Sequence, residues 1–312
     1  MTNAPSVSLE FIEDLAHRAA GLNQAGGDKR LKMIVERILS DLMRTMVAFE
    51  VTPDEFWKAA AYIGEVGKSG EVGLLAPGLG LEHFLDVMAD AQDAKAGIAG
   101  GTPRTIEGPL YVAGAPQFQG SGRLDDGNDA VAEPMFVSGV VKGPDGQPVA
   151  GAKVEVWHAN RFGWYSHFDP TTTQTPFNNR GRITTGDDGR YSFRSVVPLG
   201  YGCPPDGPTA GLLKAMGRHS QRPAHVHFFV SAPGCRKLTT QFNIAGDPLT
   251  YDDFAFATRN ELVATANRVS DPKGLAARGV NKPYSEITFD FALQKDVAGA
   301  PSTEVHRDRV VA

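Results

Sequence analysis

The hydrophobic period of this 312-residue chain changes near Gly97–Pro103, and this change limits the folds that the chain can adopt. Before it, apolar residues recur at steps of three and four, which is typical of amphipathic helices. After it, glycine and proline become frequent, and short apolar runs are separated by turns. We therefore expect a helical N-terminal domain over residues 1–103 and a second domain, built mainly from strands, over residues 104–312.

Several short segments of the second domain are predicted to be β-strands. They are Phe136–Val141, Lys153–Trp157, Ile183–Thr185, Tyr191–Phe193, Ala224–Val230, Leu238–Phe242 and Glu286–Phe291. Asp187-Asp188-Gly189 separates two of them and predicts a hairpin. Many short strands with turns between them indicate an antiparallel β-sandwich, so the predicted fold class is mainly β with an α-helical N-terminal domain.

The helical domain contains a wide apolar stripe over residues 31–47. Such a stripe is usually core, but its width also allows a dimer interface or a lipid-facing surface, and the sequence leaves these alternatives open. Thr52–Glu55 supplies a capping hydroxyl, a proline at the first helical position and a glutamate at the third, which together begin the next helix. Phe56, Trp57 and Ile63 are expected on the buried face of that helix.

Composition excludes several classes of function. A net charge of −5 argues against a nucleic-acid partner, because phosphate binding requires a basic surface. No apolar run approaches the ~18 residues of a membrane span, and Met1–Asp14 lacks the basic start and apolar core of a secretion signal. Two cysteines, Cys203 and Cys235, are too few for a disulfide framework. A reduced, cytoplasmic enzyme fits these features.

The segment Arg222–Val230 is an apolar, strand-forming run with two histidines at alternate positions. Alternate side chains of a strand share a face, so His225 and His227 point the same way, roughly 7 Å apart along the strand. Two imidazoles on one face can converge on one metal ion. The same spacing also arises by chance, so this pair needs further ligands before it indicates a site.

Two tyrosines lie in loops beside glycines, in Gly163-Trp164-Tyr165 and Gly200-Tyr201-Gly202. Each alone is more often a packed ring, but with the histidines they form a set of two phenols and two imidazoles. Carboxylates are scarce nearby, which disfavours zinc and the ferrous site of two histidines and one carboxylate. A phenol, with a pKa near ~10, is deprotonated at neutral pH only beside a strong cation such as ferric iron. One Fe(III), two tyrosinates and one hydroxide sum to zero charge, the total that costs least to bury.

The stretch from Gly139 to Tyr165, with Ala152-Lys153-Val154-Glu155-Val156-Trp157-His158-Ala159-Asn160 inside it, resembles the signature of the intradiol ring-cleavage dioxygenases. Arg222–His227 resembles the second metal segment of that family. The helical N-terminus with Gly73–Gly78 is similar to that of its catechol 1,2-dioxygenase branch. The resemblance covers essentially the whole chain, and its one small departure, His158-Ala159-Asn160 in place of Gln-Ala-Asp, lies outside the ligand set.

The resemblance implies that Tyr165, Tyr201, His225 and His227 hold a non-haem Fe(III). Tyr165 and His225 would be equatorial, and Tyr201 and His227 axial. Catechol would bind as a dianion and displace Tyr201 and a hydroxide. Oxygen from O2 would then be inserted between the two hydroxylated carbons to give cis,cis-muconate, a step of aromatic degradation.

The resemblance also implies roles for residues around the metal. Arg222 would stabilise the anionic substrate and its rearrangement, and Gln241 would help to position the oxygen-containing intermediate. The implied substrate-pocket residues are Leu74, Pro77, Ile106, Pro109, Leu110, Phe254 and Ala255, with Cys203 near the floor. Family members form homodimers through the helical domain, and some hold a phospholipid in an apolar tunnel there.

Three alternatives remain open at this point. Within the family, the chain could prefer hydroxyquinol or chlorinated catechols. It could instead be a non-catalytic sandwich protein whose helical domain binds lipid. An extradiol enzyme is the third alternative, but it requires Fe(II) and a carboxylate ligand.

Overall fold

The structure is a computed structural model that describes residues 7–307 and 309–311. The described helices are α1 (Leu9–Ala19), α2 (Lys29–Ala48), α3 (Pro53–Ser69), α4 (Val72–Gly78), α5 (Leu81–Lys95), α6 (Pro208–Ala215) and α7 (Pro272–Arg278). The strands are β1 (Val112–Ala113), β2 (Gln117–Gln119), β3 (Ser121–Arg123), β4 (Pro134–Lys142), β5 (Lys153–His158), β6 (Arg180–Thr184), β7 (Arg190–Val196), β8 (Tyr201–Gly202), β9 (Gln221–Arg222), β10 (His225–Ser231), β11 (Leu238–Ile244), β12 (Val263–Ala264), β13 (Asn267–Val269), β14 (Tyr284–Thr288), β15 (Phe291–Ala292) and β16 (Val310–Val311).

The chain divides into two compact units, Met1–Glu65 and Val66–Ala312. The N-terminal helical run ends with α5, and the first strand, β1, begins at Val112. The first five helices therefore precede the sheets in the chain, as the change of hydrophobic period predicts, and the short helices α6 and α7 lie between strands. The division into two domains at residue 103 remains a prediction.

Helix α2 carries the apolar stripe over residues 31–47, and the stripe is not core. Ser40 is the buried residue of this helix. Of the apolar side chains of the stripe, Leu31, Ile34, Ile38, Leu42 and Val47 are exposed in the single chain, and Val35, Leu39, Met43 and Met46 are half-buried. The core interpretation is therefore wrong for the single chain, whereas an interface or a lipid-facing surface remains consistent with this exposure.

Helix α3 begins with the predicted capping box. The backbone N–H of Thr52 donates to Glu55 Oε2 at 2.8 Å, and the N–H of Glu55 donates to Thr52 Oγ1 at 3.3 Å. The predicted buried face of α3 is wrong, because Trp57 is 69% exposed and Ile63 is 70% exposed. Phe56 contacts Trp57 edge to face, with ring centroids 5.3 Å apart. Helical spacing identified an apolar side of α3 but not the absence of a covering element in the single chain.

Helices α4 and α5 meet at a sharp bend at Leu79-Gly80. Gly80 precedes α5 with a φ of 76°, a left-handed conformation that glycine adopts without strain. Among the described helices, none is by itself long and apolar enough to cross a membrane. The pair α4 and α5, bent by 65°, meets the criteria of length and composition when taken together.

Two six-stranded sheets form the sandwich of the larger unit. One has the strand order β12-β11-β10-β5-β6-β2, and the other has the order β13-β14-β4-β7-β3 with β15 beside β4. One apolar cluster draws on both sheets, with Val154, Phe228 and Phe242 from the first and Val137 and Phe291 from the second. The predicted sandwich is therefore confirmed, and its burial of apolar side chains is the main source of stability of this unit.

The predicted purely antiparallel arrangement is wrong, because both sheets are mixed. The central pairs β5–β10, β10–β11, β5–β6 and β4–β7 are antiparallel, whereas β2–β6, β3–β7, β11–β12, β4–β14, β4–β15 and β1–β16 are parallel. Most of the parallel partners lie far apart in sequence, so a long returning segment joins them rather than a tight turn. Turn residues in the sequence indicate only the short connections between strands, so they do not predict these parallel pairs.

The hairpin predicted at Asp187–Gly189 is also wrong, although the turn itself forms. Gly189 has a φ of 69°, and its N–H donates to the carbonyl of Gly186 at 2.9 Å. The flanking strands β6 and β7 belong to different sheets and do not pair with each other. The turn is therefore a corner between the two layers of the sandwich.

Candidate active site

Strand β10 brings the two histidines together in the interior of the sandwich unit. It lies between β5 and β11, so both of its edges are hydrogen-bonded and its backbone is held in place. His225 and His227 are buried, and their Nε2 atoms are 3.1 Å apart. A Cβ built on Gly108 would lie 3.8 Å from Cε1 of His227, so the backbone of the preceding segment passes close to this ring.

The surroundings keep both imidazoles neutral. His225 Nδ1 donates to the carbonyl of Pro223 at 2.7 Å, which leaves Nε2 with a free lone pair that faces Arg222 Nη1 at 3.0 Å. Burial and the neighbouring Arg222 charge lower the pKa of His225 to about 3. Burial also lowers the pKa of His227 well below its ordinary value. The ring of His227 stacks on Trp157, with centroids 5.1 Å apart and an interplanar angle of 4°.

Tyr165 lies in the loop that follows β5. Asn160 Oδ1 accepts hydrogen bonds from the N–H groups of Phe162 and Trp164 at 2.9 and 3.0 Å, and this bonding fixes the turn that leads into Tyr165. The phenol oxygen of Tyr165 is 3.4 Å from His225 Nε2. Burial raises the pKa of Tyr165 well above its ordinary value. The phenolate form of this residue therefore requires a strong cation nearby.

Tyr201 lies on the two-residue strand β8, opposite Arg222 of β9. Its ring centroid is 5.3 Å from that of Tyr165 and 5.4 Å from that of His225. A Cβ at Gly200 would lie 2.2 Å from the carbonyl oxygen of Arg222, so this close approach of two backbones requires glycine. The structure thus brings together both tyrosines and both histidines that the sequence analysis singled out.

The donor atoms of this cluster fit a metal ion held by phenol and imidazole ligands. Two nitrogen ligands, each about 2.0–2.1 Å from one ion and at about a right angle, are about 3 Å apart, as are the two Nε2 atoms here. Among the described residues, no three side chains of His, Cys, Asp or Glu converge on a common point. The extradiol alternative therefore lacks its carboxylate ligand within this part of the chain, and the phenols of Tyr165 and Tyr201 are the remaining donors.

Arg222 lies beside the cluster and is held by a buried carboxylate that the sequence analysis missed. The guanidinium is 3% exposed and pairs with Asp253 at 3.1 Å. Burial opposes ionisation of Asp253, but the Arg222 charge outweighs it and holds the pKa of this carboxyl below its ordinary value. Arg222 Nη2 also donates to Gln241 Oε1 at 2.9 Å, and Gln241 Nε2 donates to Asn243 Oδ1 at 3.1 Å. This network presents a fixed positive charge to the cluster.

Most of the predicted substrate-pocket residues lie together. One apolar cluster contains Ile106, Cys203, Phe254 and Ala255, and Leu74 packs against it. Burial raises the pKa of Cys203 to about 12, so its side chain is a neutral thiol. This cluster provides an apolar, water-poor surface.

The other three predicted pocket residues have different surroundings. Leu110 packs against a second apolar cluster, which includes Tyr165 and is also contacted by Tyr201. Pro77 is buried on α4. Pro109 lies beside the same helix, since a Cβ at Gly73 would be 3.0 Å from the Cβ of Pro109. Helix α4 and the segment 106–110 therefore carry pocket residues that are far apart in sequence.

The C-terminal segment holds the segment 106–110 from outside the cluster. Arg309 donates to both carboxylate oxygens of Glu107, at 2.8 and 2.9 Å, and β16 pairs in parallel with β1. A cavity of about 440 Å³ lies beside this segment. Ion-paired side chains such as Arg236 and Asp93 line it together with apolar side chains such as Ile106 and Leu238.

Arg180, at the start of β6, is a second buried arginine that the sequence analysis missed. It is 1% exposed, and its Nε and Nη2 donate to the hydroxyl and the carbonyl of Ser166 at 2.9 and 3.0 Å. Burial lowers the pKa of Arg180 to about 10, so the side chain is still a cation at neutral pH. No local signal marks this residue, because it begins a short strand after a polar turn.

Comparison with known proteins gives consistent matches over nearly the whole chain. The family model described as "Dioxygenase" matches residues 106–295, and the model described as "Catechol dioxygenase N terminus" matches residues 28–97. The catechol 1,2-dioxygenase of Acinetobacter baylyi is 50% identical over 303 residues, which cover 97% of this chain and 97% of that protein. A solved structure of an Acinetobacter catechol 1,2-dioxygenase, inhibited by bound mercury, is 49% identical, with a TM-score of 0.93, and covers 99% of this chain and 100% of that one.

Enzymes named for other substrates are less similar in sequence. The hydroxyquinol 1,2-dioxygenase of a Rhizobium species is 36% identical over 275 residues, 86% of this chain and 90% of that protein. The chlorocatechol 1,2-dioxygenase of Cupriavidus pinatubonensis is 36% identical over 236 residues, 76% of this chain and 88% of that protein. The sandwich and these matches define the class of protein, an enzyme that uses dioxygen. The chain belongs to the intradiol ring-cleavage dioxygenase family and is more similar to the catechol 1,2-dioxygenases than to the hydroxyquinol and chlorocatechol enzymes.

Proposed function

We propose that this protein cleaves catechol with O2 between its two hydroxylated carbons and releases cis,cis-muconate. The observation that carries this proposal is the convergence of two imidazoles and two phenols, with Tyr165 Oη 3.4 Å from His225 Nε2 and the two Nε2 atoms 3.1 Å apart. The similarity to catechol 1,2-dioxygenases supports the choice of substrate. Within this function, the protein takes part in aromatic degradation.

The proposed cofactor is non-haem Fe(III), held by Tyr165, Tyr201, His225 and His227. The chemistry of the donors supports it, because a buried phenol becomes a ligand anion only beside a highly charged cation. Neutral imidazoles add no further charge, so one Fe(III), two tyrosinates and one hydroxide still sum to zero. Ferric iron would withdraw electron density from a bound catecholate and make its hydroxyl-bearing carbon reactive toward O2.

Residues of the chain itself would handle the protons and the charge. Tyr201 is half-buried on a short strand next to glycine, so it is the phenol that can leave its position and accept a proton from catechol. Tyr165 is fully buried and would stay in place. Arg222, held by Asp253, would stabilise negative charge on the bound substrate. Gln241 would position the Arg222 guanidinium and the reacting oxygen.

The substrate ring would lie against the apolar surface formed by Leu74, Pro77, Ile106, Pro109, Leu110, Cys203, Phe254 and Ala255. Such a surface excludes water and suits an unsubstituted ring. A change of one pocket residue alters specificity by only ~1–3 kcal/mol, so hydroxyquinol or chlorocatechol is the alternative substrate within the family. The lower sequence identity of the hydroxyquinol and chlorocatechol enzymes favours unsubstituted catechol as the substrate.

The remaining parts of the proposal concern domains, partners and location. We assign residues 1–103 to a helical domain and residues 104–312 to a catalytic domain. The exposed apolar face of α2, with α3 beside it in sequence, supports a homodimer formed through these helices, and a bound phospholipid would occupy the same kind of surface. A cytoplasmic enzyme fits the composition.

A visible spectrum of the purified protein tests the proposal. Tyrosinate-to-iron charge transfer is expected to colour the protein red, and anaerobic addition of catechol is expected to shift the band to longer wavelength. Admission of air should then yield cis,cis-muconate, measured by its ultraviolet absorbance. A colourless protein that takes up no iron, even after reconstitution, would instead favour the non-catalytic, lipid-binding alternative.

Tyr201→Phe is expected to keep its iron but to turn over at least about tenfold more slowly, because catechol loses the phenolate that accepts its proton. Iron content and oxygen uptake measure the two effects. Tyr251→Phe is the matched control, since Tyr251 is exposed and is not one of the proposed ligands or pocket residues. Its iron content and turnover should equal those of the wild type. Unchanged turnover in Tyr201→Phe would rule out this role for Tyr201.

A further inference from the structure

Arg180 is a buried cation that has no carboxylate partner among the described residues. Its hydrogen bonds go to the hydroxyl and the carbonyl of Ser166, and its Nη1 is buried without a partner. The other deeply buried arginines, Arg222 and Arg236, are paired with Asp253 and Asp93. A buried charge without a counter-charge is strongly destabilising, so the exception at Arg180 requires an explanation.

The guanidinium of Arg180 lies over the ring of Tyr165, a residue that can carry a negative charge. The guanidinium carbon lies 5.6 Å from the centroid of the Tyr165 ring, and Ser166, which holds the guanidinium, is the next residue in the chain. Tyr111 is the other phenol that acts on Arg180 electrostatically, but its hydroxyl donates to Glu155 at 2.7 Å and therefore keeps its proton. The arrangement singles out Tyr165.

We propose that Arg180 is a positioning residue that stabilises negative charge on the ring of Tyr165 when Tyr165 is a metal ligand. This inference rests on the proposed iron site, in which Tyr165 carries a negative charge. In the metal-loaded protein, iron would neutralise most of the phenolate charge, and the guanidinium faces the part of the negative charge that remains on the ring. In the metal-free protein, Arg180 faces a neutral ring. The Arg180 side chain therefore contributes more stability to the metal-loaded form than to the metal-free form.

The test compares Arg180→Gln, which removes the charge but can still donate to Ser166, with Arg180→Lys, which keeps the charge. Arg182→Met is the matched control, because Arg182 is on the same strand but pairs with Glu155 at 3.4 Å. Arg180→Met is a second neutral variant in case glutamine prevents folding. For each protein we would record the visible band, the rate of iron release to a chelator, and the midpoint of thermal unfolding with and without iron.

Arg180→Gln is expected to release iron at least about tenfold faster than the wild type, because the loss of groups that support metal ligands typically weakens metal binding by about that factor or more. Its band should shift to longer wavelength, since the transition moves negative charge away from the ring that Arg180 stabilises. The iron-loaded form should lose more thermal stability than the metal-free form. Arg180→Lys and Arg182→Met are expected to keep the wild-type band.

Any of three results would overturn the proposal. One is a neutral variant with the band and the release rate of the wild type. The others are an equal loss of thermal stability with and without iron, and a lysine variant that behaves like the glutamine variant, because either indicates that Arg180 only holds the turn at Ser166. A wild-type protein without iron and without a tyrosinate band would contradict the proposed function itself, before any variant is compared.

Discussion

His225→Ala should leave a folded protein that binds iron at least about a hundredfold more weakly, since the loss of a ligand exceeds the loss of a group that only supports one. Ring-cleavage activity should fall with the iron content. The structural reason is that His225 Nε2 lies at the centre of the cluster. It is close to three other atoms, His227 Nε2, Tyr165 Oη and Arg222 Nη1. Elemental analysis and oxygen uptake with catechol measure the two quantities.

The matched control is His219→Ala. His219 lies outside the ligand cluster and is near Asp252, with His219 Nε2 3.2 Å from its carboxylate. We expect this variant to keep its iron and its activity. Full iron occupancy in His225→Ala, at wild-type affinity, would contradict the assignment of the ligands.

Arg222→Met is expected to lower both activity and stability. Loss of a fixed charge beside the reacting group costs about 10²–10³ in kcat. Asp253, which is buried, would be left without its partner, and breaking such a pair typically costs about 3–5 kcal/mol of unfolding free energy. Steady-state kinetics and urea unfolding measure these two effects separately.

The double variant Arg222→Met/Asp253→Asn separates the catalytic role from the structural role. It removes both charges, while the asparagine oxygen can still accept the N–H of Ala255, which lies 3.0 Å from Asp253 Oδ1. We expect it to recover much of the lost stability but none of the lost activity. Recovery of both together would mean that Arg222 acts only through the fold.

The sequence predicted the classes of structure well, because the hydrophobic period is a local property. Helical spacing before Gly97 and alternation after Pro103 correspond to the helices and the sandwich. The partners of each strand are not local. The corner at Asp187–Gly189 and the parallel strands at the sheet edges depend on connections that no short pattern encodes. The exposed stripe of α2 shows the same limit, since periodicity identifies an apolar face but not what covers it.

In the candidate site, too, local patterns were predictable from the sequence and long-range contacts were not. His225 and His227 were detectable because alternation on one strand places them on one face. Asp253, Trp157 and Arg180 were not, because their contacts depend on the pairing of strands and loops far apart in sequence. Trp157 reaches His227 only because the register of β5 and β10 places these residues opposite each other. Nothing near Asp253 in the sequence indicates that it balances Arg222.

The C-terminal segment has a consequence for the order in which the protein is completed during synthesis. Glu107, in the segment that carries Ile106, Pro109 and Leu110, is held by Arg309, a residue 202 positions later. The tyrosines and histidines of the cluster all leave the ribosome before Arg309, so the part of the chain that carries the proposed metal ligands can fold first. The segment 106–110 already packs on earlier parts of the chain, but its ion pair with Arg309 is added only once that residue has been made, so this is among the last contacts of the substrate side to form.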